Sequence, residues 1–176
     1  AQKREENMQD VAISMSAMDE NALEKSFART IDDITGMSPN LVVNPILGNG
    51  TTGISIRGIQ HSDVEKSSDT PVAVYQDGIY LASTTGTLRN LWDAERVEVL
   101  RGPQGTLYGR NTLAGAINMI SAKPTETSTK AKLSMGNYGL TQLQFVSNIV
   151  LDDNWSFKIV ASDKNRDGYV NVSASP

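Results

Sequence analysis

The sequence predicts an α+β unit with a small mixed sheet, followed by a run of amphipathic antiparallel strands. Three observations carry this. First, Val97 and Val99 alternate with Arg96 and Glu98, the period of a strand, and Gly102-Pro103 ends it, because proline has no N–H to give a ladder. Gly105, Gly109 and Gly115 then carry the chain round a tight corner into a second apolar run, Ala116 to Ile120. Second, Asp19 and Thr30 each stand where a helix N-cap is expected, ahead of short apolar-periodic stretches. Third, beyond Lys130 apolar and polar residues alternate in stretches separated by turn residues.

Residues 1–10 are charged and aperiodic and read as an extended, solvated arm. Val11 to Ala17 alternates as a strand. Asp19 caps a helix from Glu20 to about Phe27, and Thr30 caps a second from Ile31 to Met37, with Asp32 and Asp33 at its positive end. Ser38-Pro39-Asn40 stops it. After Leu41–Val43 comes Gly48-Asn49-Gly50-Thr51-Thr52-Gly53, a formal G-x-G-x-x-G. A dinucleotide site needs a helix after it, and Ile54–Gly58 is strand-like, so a glycine loop between strands is the reading. Val72–Tyr75 is a strand, Gln76-Asp77-Gly78 a turn and Ile79–Leu81 the return strand. Leu88–Trp92 makes one or two helical turns before the corner. The mixed sheet is built from about Val72–Tyr75, Arg96–Leu100 and Ala116–Ile120. Lys123-Pro124 closes the last of these, and Thr125–Thr129 is a polar linker. Beyond it, Lys130–Gly136, Thr141–Leu151 and Trp155–Ser162 are strands joined by turns at Asn137–Gly139 and Asp152–Asn154. Leu143, Phe145 and Ile149 share one face of the middle strand; Gln142, Gln144 and Asn148 share the other.

A chain of 176 residues can bury a core. There is no cysteine, hence no disulfide, thiolate metal site or cysteine nucleophile. The formal net charge of −4 argues against a nucleic-acid partner. No run of 18 apolar residues forms a transmembrane helix, a test that amphipathic membrane strands escape. With no basic and apolar leader, the sequence reads as a mature chain or an internal fragment. His61, the only histidine, stands beside Ser62 and Asp63, but triad members converge from separated positions, so a solvated loop fits better, with ligand contact the alternative. Asp163-x-Asn165-x-Asp167-Gly168 fits half a calcium loop, yet position 12 is Ala174 and the flanks are strands; a loop between strands is expected, with a weak adventitious calcium site the alternative. Neither a metal site nor a catalytic constellation emerges, and no cofactor is implied.

The stretch Val97 to Asn118 closely resembles the corner of the plug domain of TonB-dependent outer-membrane receptors, whose pattern reads roughly V-E-V-L-R-G-P-x-G/S-x-L-Y-G-x-x-x-x-G-G/A-x-I-N. Ile54–Gly58 resembles that family's I-R-G strand, and Val74–Gly78 its V-Y-x-D-G hairpin. The resemblance implies a plug domain over residues 1–125 and the first strands of an outer-membrane β-barrel over 126–176. It implies a large barrel of about 22 strands with a plugged lumen. The function implied is energy-coupled uptake of a scarce nutrient, most commonly an iron–siderophore, across the outer membrane of a Gram-negative bacterium. The drive comes through TonB with ExbB and ExbD, whose pairing segment is expected upstream of Ala1. A soluble periplasmic or secreted binding module with a plug-like fold is the alternative, and an enzyme is not expected.

The resemblance also assigns roles. Apical plug loops would meet the ligand through Asn49, Thr51, Thr52, Gln60, His61, Ser62, Asp63, Tyr80, Ser83 and Thr84, whose hydroxyls and amides suit an oxygen-rich chelate. Arg57, Arg101 and Arg110 would hold the plug to carboxylates of the barrel wall, a task suited to the planar guanidinium; a surface salt bridge is the other reading of each. Gly58, Gly102, Gly105, Gly109 and Gly115 would be backbone-shape residues.

Overall fold

The computed structural model describes residues 12–46, 51–60, 69–82 and 91–168, with only the backbone of Ile46 and Thr51. The chain divides into two units, Ala1–Ala122 and Lys123–Pro176.

The first unit is organised by a five-stranded mixed sheet in the order β1-β6-β7-β4-β5, from β1 (Met15–Asp19), β4 (Val72–Gln76), β5 (Ile79–Tyr80), β6 (Ala94–Arg101) and β7 (Gly115–Ser121). Only β4 and β7 run parallel, Val72 opposite Gly115 and Gln76 opposite Met119; the other pairs are antiparallel. A separate hairpin joins β2 (Leu41–Ile46) to β3 (Thr51–Ile56). Alternation splits the sheet into two faces. Val97, Val99, Ile117, Met119, Val72 and Val74 point into the main core with Leu23, Ile31, Ile34, Leu41, Val43 and Ile56. Ala73, Tyr75, Leu100 and Ala116 point the other way and pack with Tyr108.

Asp19 caps α1 (Glu20–Lys25), its carboxylate accepting from Ala22 N at 2.7 Å. The expected second helix is one turn of 3-10 helix, Ile31–Ile34. Its end has a physical cause: the Thr35 hydroxyl donates to Val43 O and accepts from Val43 N, 3.2 and 2.9 Å, which turns the chain toward β2. Several other expectations shift. The first strand is Met15–Asp19 rather than 11–17; Val11 lies outside the described residues. Thr51–Gly53 belong to β3, because pairing with Asn44, Pro45 and Ile46 overrides their glycine-loop composition. Trp92 sits in a turn, and residues 88–90 of the expected helix lie outside the described residues. Between Gln104 and Gly109 a short helix, α2 (Gly105–Tyr108), occupies what the sequence reads as bare corner.

The second unit is a three-stranded antiparallel sheet, β8 (Ser128–Gly136), β9 (Leu140–Val150) and β10 (Ser156–Asn165), in the order β10-β9-β8. Asp163 and Asn165 lie in β10, not in a loop. The register groups Leu133, Leu143, Phe145, Ile149, Phe157 and Ile159 on one face, and Lys132, Lys158, Lys164, Gln142, Gln144 and Asn148 on the other. Burial is the reverse of a soluble sheet. Gln142 and Gln144 are 5% and 6% exposed, whereas Leu143, Phe157 and Ile159 are all more than half exposed.

Candidate functional site

The corner between β6 and β7 is the centre of the first unit's polar architecture. Its backbone closes on itself: Gly102 N donates to Ala114 O at 2.8 Å and Gln104 N to Thr112 O at 3.0 Å, so the two arms run side by side. The Thr112 hydroxyl donates to Gly109 O at 2.7 Å. Gly58, Gly102 and Gly109 take φ of +77°, +98° and +77°, where a side chain is strained. Gly115 is required by proximity: a Cβ there would lie 2.2 Å from Leu100 O and 2.9 Å from Ile56 Cδ1. Gly105 corrects the expectation of a shape role, since it opens α2 with open space where a Cβ would stand.

Three tyrosines fasten the corner to the sheet. Tyr75 and Tyr108 stack edge-on with centroids 5.1 Å apart, and Tyr80 lies 5.5 Å from Tyr75. The Tyr75 hydroxyl donates to the Tyr108 carbonyl. Burial, with the Tyr80 phenol adding to it, pushes the Tyr75 phenol above its usual 10.0; burial, then the charges of Glu98 and Tyr75, do the same to Tyr108. Farther along the same face Arg96 bonds Glu98 at 3.0 Å and also pairs with Glu95. Burial lowers the Arg96 pKa, but the two carboxylates outweigh it and leave it raised.

At the rim, Asn111 Nδ2 donates to Tyr80 Oη at 2.9 Å and to Asp69 Oδ1 at 3.1 Å, while Arg110 lies 3.8 Å from Asp69. These four residues join the return strand, the approach to β4 and the corner. Sequence reasoning picked Tyr80 and Arg110 and passed over Asn111 and Asp69. The available signal was Asn111's place among glycines, since asparagine is a residue that accepts positive φ, here +71°.

The other expected site residues are dispersed. Thr52 is buried in β3 with its hydroxyl lacking a hydrogen-bond partner, which corrects its assignment to an exposed ligand rim. Gln60 is exposed beyond the turn at Arg57-Gly58, at the opposite end of the hairpin from Thr52. Asn49, His61, Ser62, Asp63, Ser83 and Thr84, and the side chain of Thr51, lie outside the described residues. Arg57 is exposed, with Nη1 3.5 Å from where a Cβ on Gly102 would be. Arg110 makes an exposed surface ion pair. Arg101, expected at the barrel wall, bonds within its own unit here: Nε donates to Ser14 Oγ at 3.1 Å, Nη1 to Ser16 Oγ at 2.5 Å and Ser38 Oγ at 3.1 Å, and Nη2 to Met15 O at 3.2 Å. Its fork is filled by its own unit because three hydroxyls and a carbonyl converge there.

Comparison with known proteins places this architecture. Residues 7–116 match the family described as TonB-dependent Receptor Plug Domain. The catecholate siderophore receptor Fiu of Escherichia coli strain K12 is 33% identical over 122 residues, 68% of this chain and 15% of the relative. The pesticin receptor of Yersinia pestis is 42% identical over 74 residues, 42% of this chain and 10% of the relative. Among solved structures, the ferric yersiniabactin uptake receptor FyuA from Yersinia pestis superposes with a TM-score of 0.74 at 23% identity, covering 85% of this chain and 24% of that one. The open form of the Fiu receptor gives 0.70 at 25% identity over 90% of this chain and 22% of that one. The chain thus spans between a tenth and a quarter of the length of these proteins.

Proposed function

This chain belongs to the TonB-dependent receptor plug domain family, and on that premise we propose that it is the plug and opening barrel strands of an outer-membrane receptor for energy-coupled uptake of an iron–siderophore. The observation that carries the reading is the pairing of two features: the locked strand–corner–strand unit, and a following meander whose apolar face is exposed while its glutamines are buried. An outer-membrane strand puts apolar side chains toward lipid and polar ones toward the lumen. The soluble-module alternative needs the opposite. Relatives named as receptors for catecholate siderophores and for ferrioxamine support the substrate class.

In this reading no bond is made or broken by the protein. Tyr80, with Asn49, Thr51, His61–Asp63 and Ser83–Thr84, would offer hydrogen bonds to an oxygen-rich chelate. The Tyr80 hydroxyl is held by Asn111, so its direction is preset. Arg57, exposed at the end of β3, would meet the barrel wall, and Arg110 could trade Asp69 for a wall carboxylate. TonB with ExbB and ExbD would supply the energy from the inner membrane.

The test is uptake of radio-iron by cells that carry the parent receptor as their one siderophore receptor, supplied in turn with a catecholate and a hydroxamate chelate, with and without TonB. Uptake of at least one chelate that vanishes without TonB is expected. Uptake of neither, or uptake indifferent to TonB, would refute the proposal.

A further inference from the structure

We infer that the polar face of the β8–β9–β10 sheet is a ladder of cations that conducts an anionic ferric chelate, with Lys164, Lys132, Lys130 and Lys158 as its rungs. The inference rests on the transport reading and narrows its substrate class to chelates of net negative charge.

The ladder is written in the register. Lys164 stands level with Gln142, Lys132 with Gln144, Lys130 with Val146 and Lys158 with Asn148. Each of these successive polar-face positions of β9 thus has one lysine beside it, on β8 or on β10. Steps of two residues set the rungs about 6.6 Å apart along the strand, so the row spans about 20 Å. At the Lys164 end the Arg166 guanidinium, 5.1 Å over the Tyr138 ring, brings a further cation. The middle strand makes a neutral floor: Gln142, Gln144 and Val146 are buried, while Lys130, Lys132 and Lys164 are exposed to either side and Lys158 is half-buried.

Charge is sorted by face. Every lysine of the three strands lies on the polar face, and their one acid, Asp163, lies on the apolar face. A surface kept polar for solvation alone intersperses both signs. Rungs closer together than the Debye length of about 8 Å repel one another, and an anion on the row relieves that repulsion. Lysine suits a passing ligand, because its ammonium is a point charge on a flexible stem and imposes no fixed fork on what it meets. In a barrel the polar face is the one that lines the lumen. A ferric tris-catecholate keeps a net negative charge there, whereas a ferric tris-hydroxamate is neutral.

The test is radio-iron uptake by cells that carry the proposed outer-membrane receptor as their one siderophore receptor, given a ferric tris-catecholate or a neutral ferric tris-hydroxamate. The unchanged receptor is compared with Lys130→Gln/Lys132→Gln/Lys158→Gln/Lys164→Gln and with the fourfold Lys→Arg variant at the same positions. Heat-modifiable mobility on gels counts folded receptor, and uptake is expressed per folded molecule. The glutamine variant should lose at least about tenfold in catecholate uptake, the low end of what a charged path gives a charged substrate. The arginine variant should keep it, and hydroxamate uptake should not follow it down. If the glutamine variant yields no folded receptor, the single changes Lys132→Glu and Lys164→Glu, at exposed rungs, take its place with the same expected order. Undiminished catecholate uptake without the lysines would overturn the inference. So would equal losses with glutamine and arginine, equal losses for the two chelates, or an unchanged receptor that takes the hydroxamate alone. Uptake of neither chelate refutes the transport reading itself, and the ladder falls with it.

Discussion

Replacing Gly115 by alanine should destabilise the first unit far more than the loss of one hydrogen atom suggests. The added Cβ would stand 2.2 Å from Leu100 O, and real Cβ atoms do not come closer than 3.0 Å to a heavy atom, so the strands must part by about 0.8 Å at that point. The obstacle is a backbone carbonyl, which has no rotamer to escape into. Parting the strands there strains the last step of the β6–β7 ladder, Arg101 opposite Gly115, and the first step of the β4–β7 ladder, Val72 opposite Gly115. Overpacking costs about 1–3 kcal/mol, and one or two weakened ladder bonds add roughly 1 kcal/mol each. Alanine's smaller unfolded-state entropy returns less than about 1 kcal/mol, so a net loss of about 3 kcal/mol is expected. Urea unfolding followed by circular dichroism measures it, with Gly105→Ala as the control, because Gly105 is helical and has open space beside it. The control should be neutral or stabilising by up to about 1 kcal/mol. Equal midpoints for the two variants would refute the argument from proximity.

Tyr75→Phe should cost about 1–2 kcal/mol in the same assay, because it leaves the Tyr108 carbonyl without its donor in a buried place; an unchanged midpoint would mean water reaches that carbonyl. Alkaline pH should act on the same pair. Both phenols titrate above 10.0 in the folded chain, so the stability they give is full below pH 10 and is lost as pH rises through the raised folded values. The slope is at most about 1.4 kcal/mol per pH unit for each, and unfolding midpoints at several pH values either side of 10 check it; stability that rises above pH 10 contradicts the sign. In the proposed outer-membrane receptor, Leu143→Lys should cost about 2–4 kcal/mol and cut the amount of folded receptor, while Ser162→Lys, on the face that already holds Lys132, should be tolerated. Heat-modifiable mobility on gels reads both, and equal yields would reject the assignment of faces.

What could be read from the sequence was local. The Asp19 cap works through a residue three positions on, and the strands around Val74, Val97 and Ile117 carry their period in their own side chains. What could not be read depends on partners far away in the chain. Thr35 ends the 3-10 turn by bonding Val43, eight residues later. α2 is four residues long amid glycines and proline, and packing of Tyr108 against Tyr75 holds it there, not helix propensity. Arg101 is the sharpest case. Its serine partners are 63 to 87 residues distant, so nothing local to a strand-end arginine before a Gly-Pro corner announces them. Thr52 failed for a related reason: its loop-like neighbours hide a ladder with β2.

The meander raises a different limit. Period two is shared by a soluble sheet and a membrane sheet, so the alternation of Leu143 with Gln142 and Gln144 is silent about which side is covered. Burial breaks the tie, and the dimensions agree with it. From Leu140 to Val150, β9 is ten steps of about 3.3 Å, which at a tilt near 45° rises about 23 Å, close to the roughly 25 Å apolar band of an outer-membrane barrel. Two exposed aromatics stand where such a band ends: Tyr138 in the β8–β9 turn and Trp155 in the β9–β10 turn, at opposite ends of the sheet. Within the apolar face, Thr129 and Ser147 face each other with hydroxyls 3.3 Å apart, so these two polar groups pair with each other rather than being left to lipid. Asp163 falls on this face only opposite Leu143, toward the Tyr138 end, where the band gives way to water. Three strands cannot close, and β8 and β10 each keep one unpaired edge in this sheet. A surface apolar outside, polar inside and open at both edges is stable only when further strands continue it, which is why the meander makes physical sense as the beginning of a barrel and not as a domain by itself.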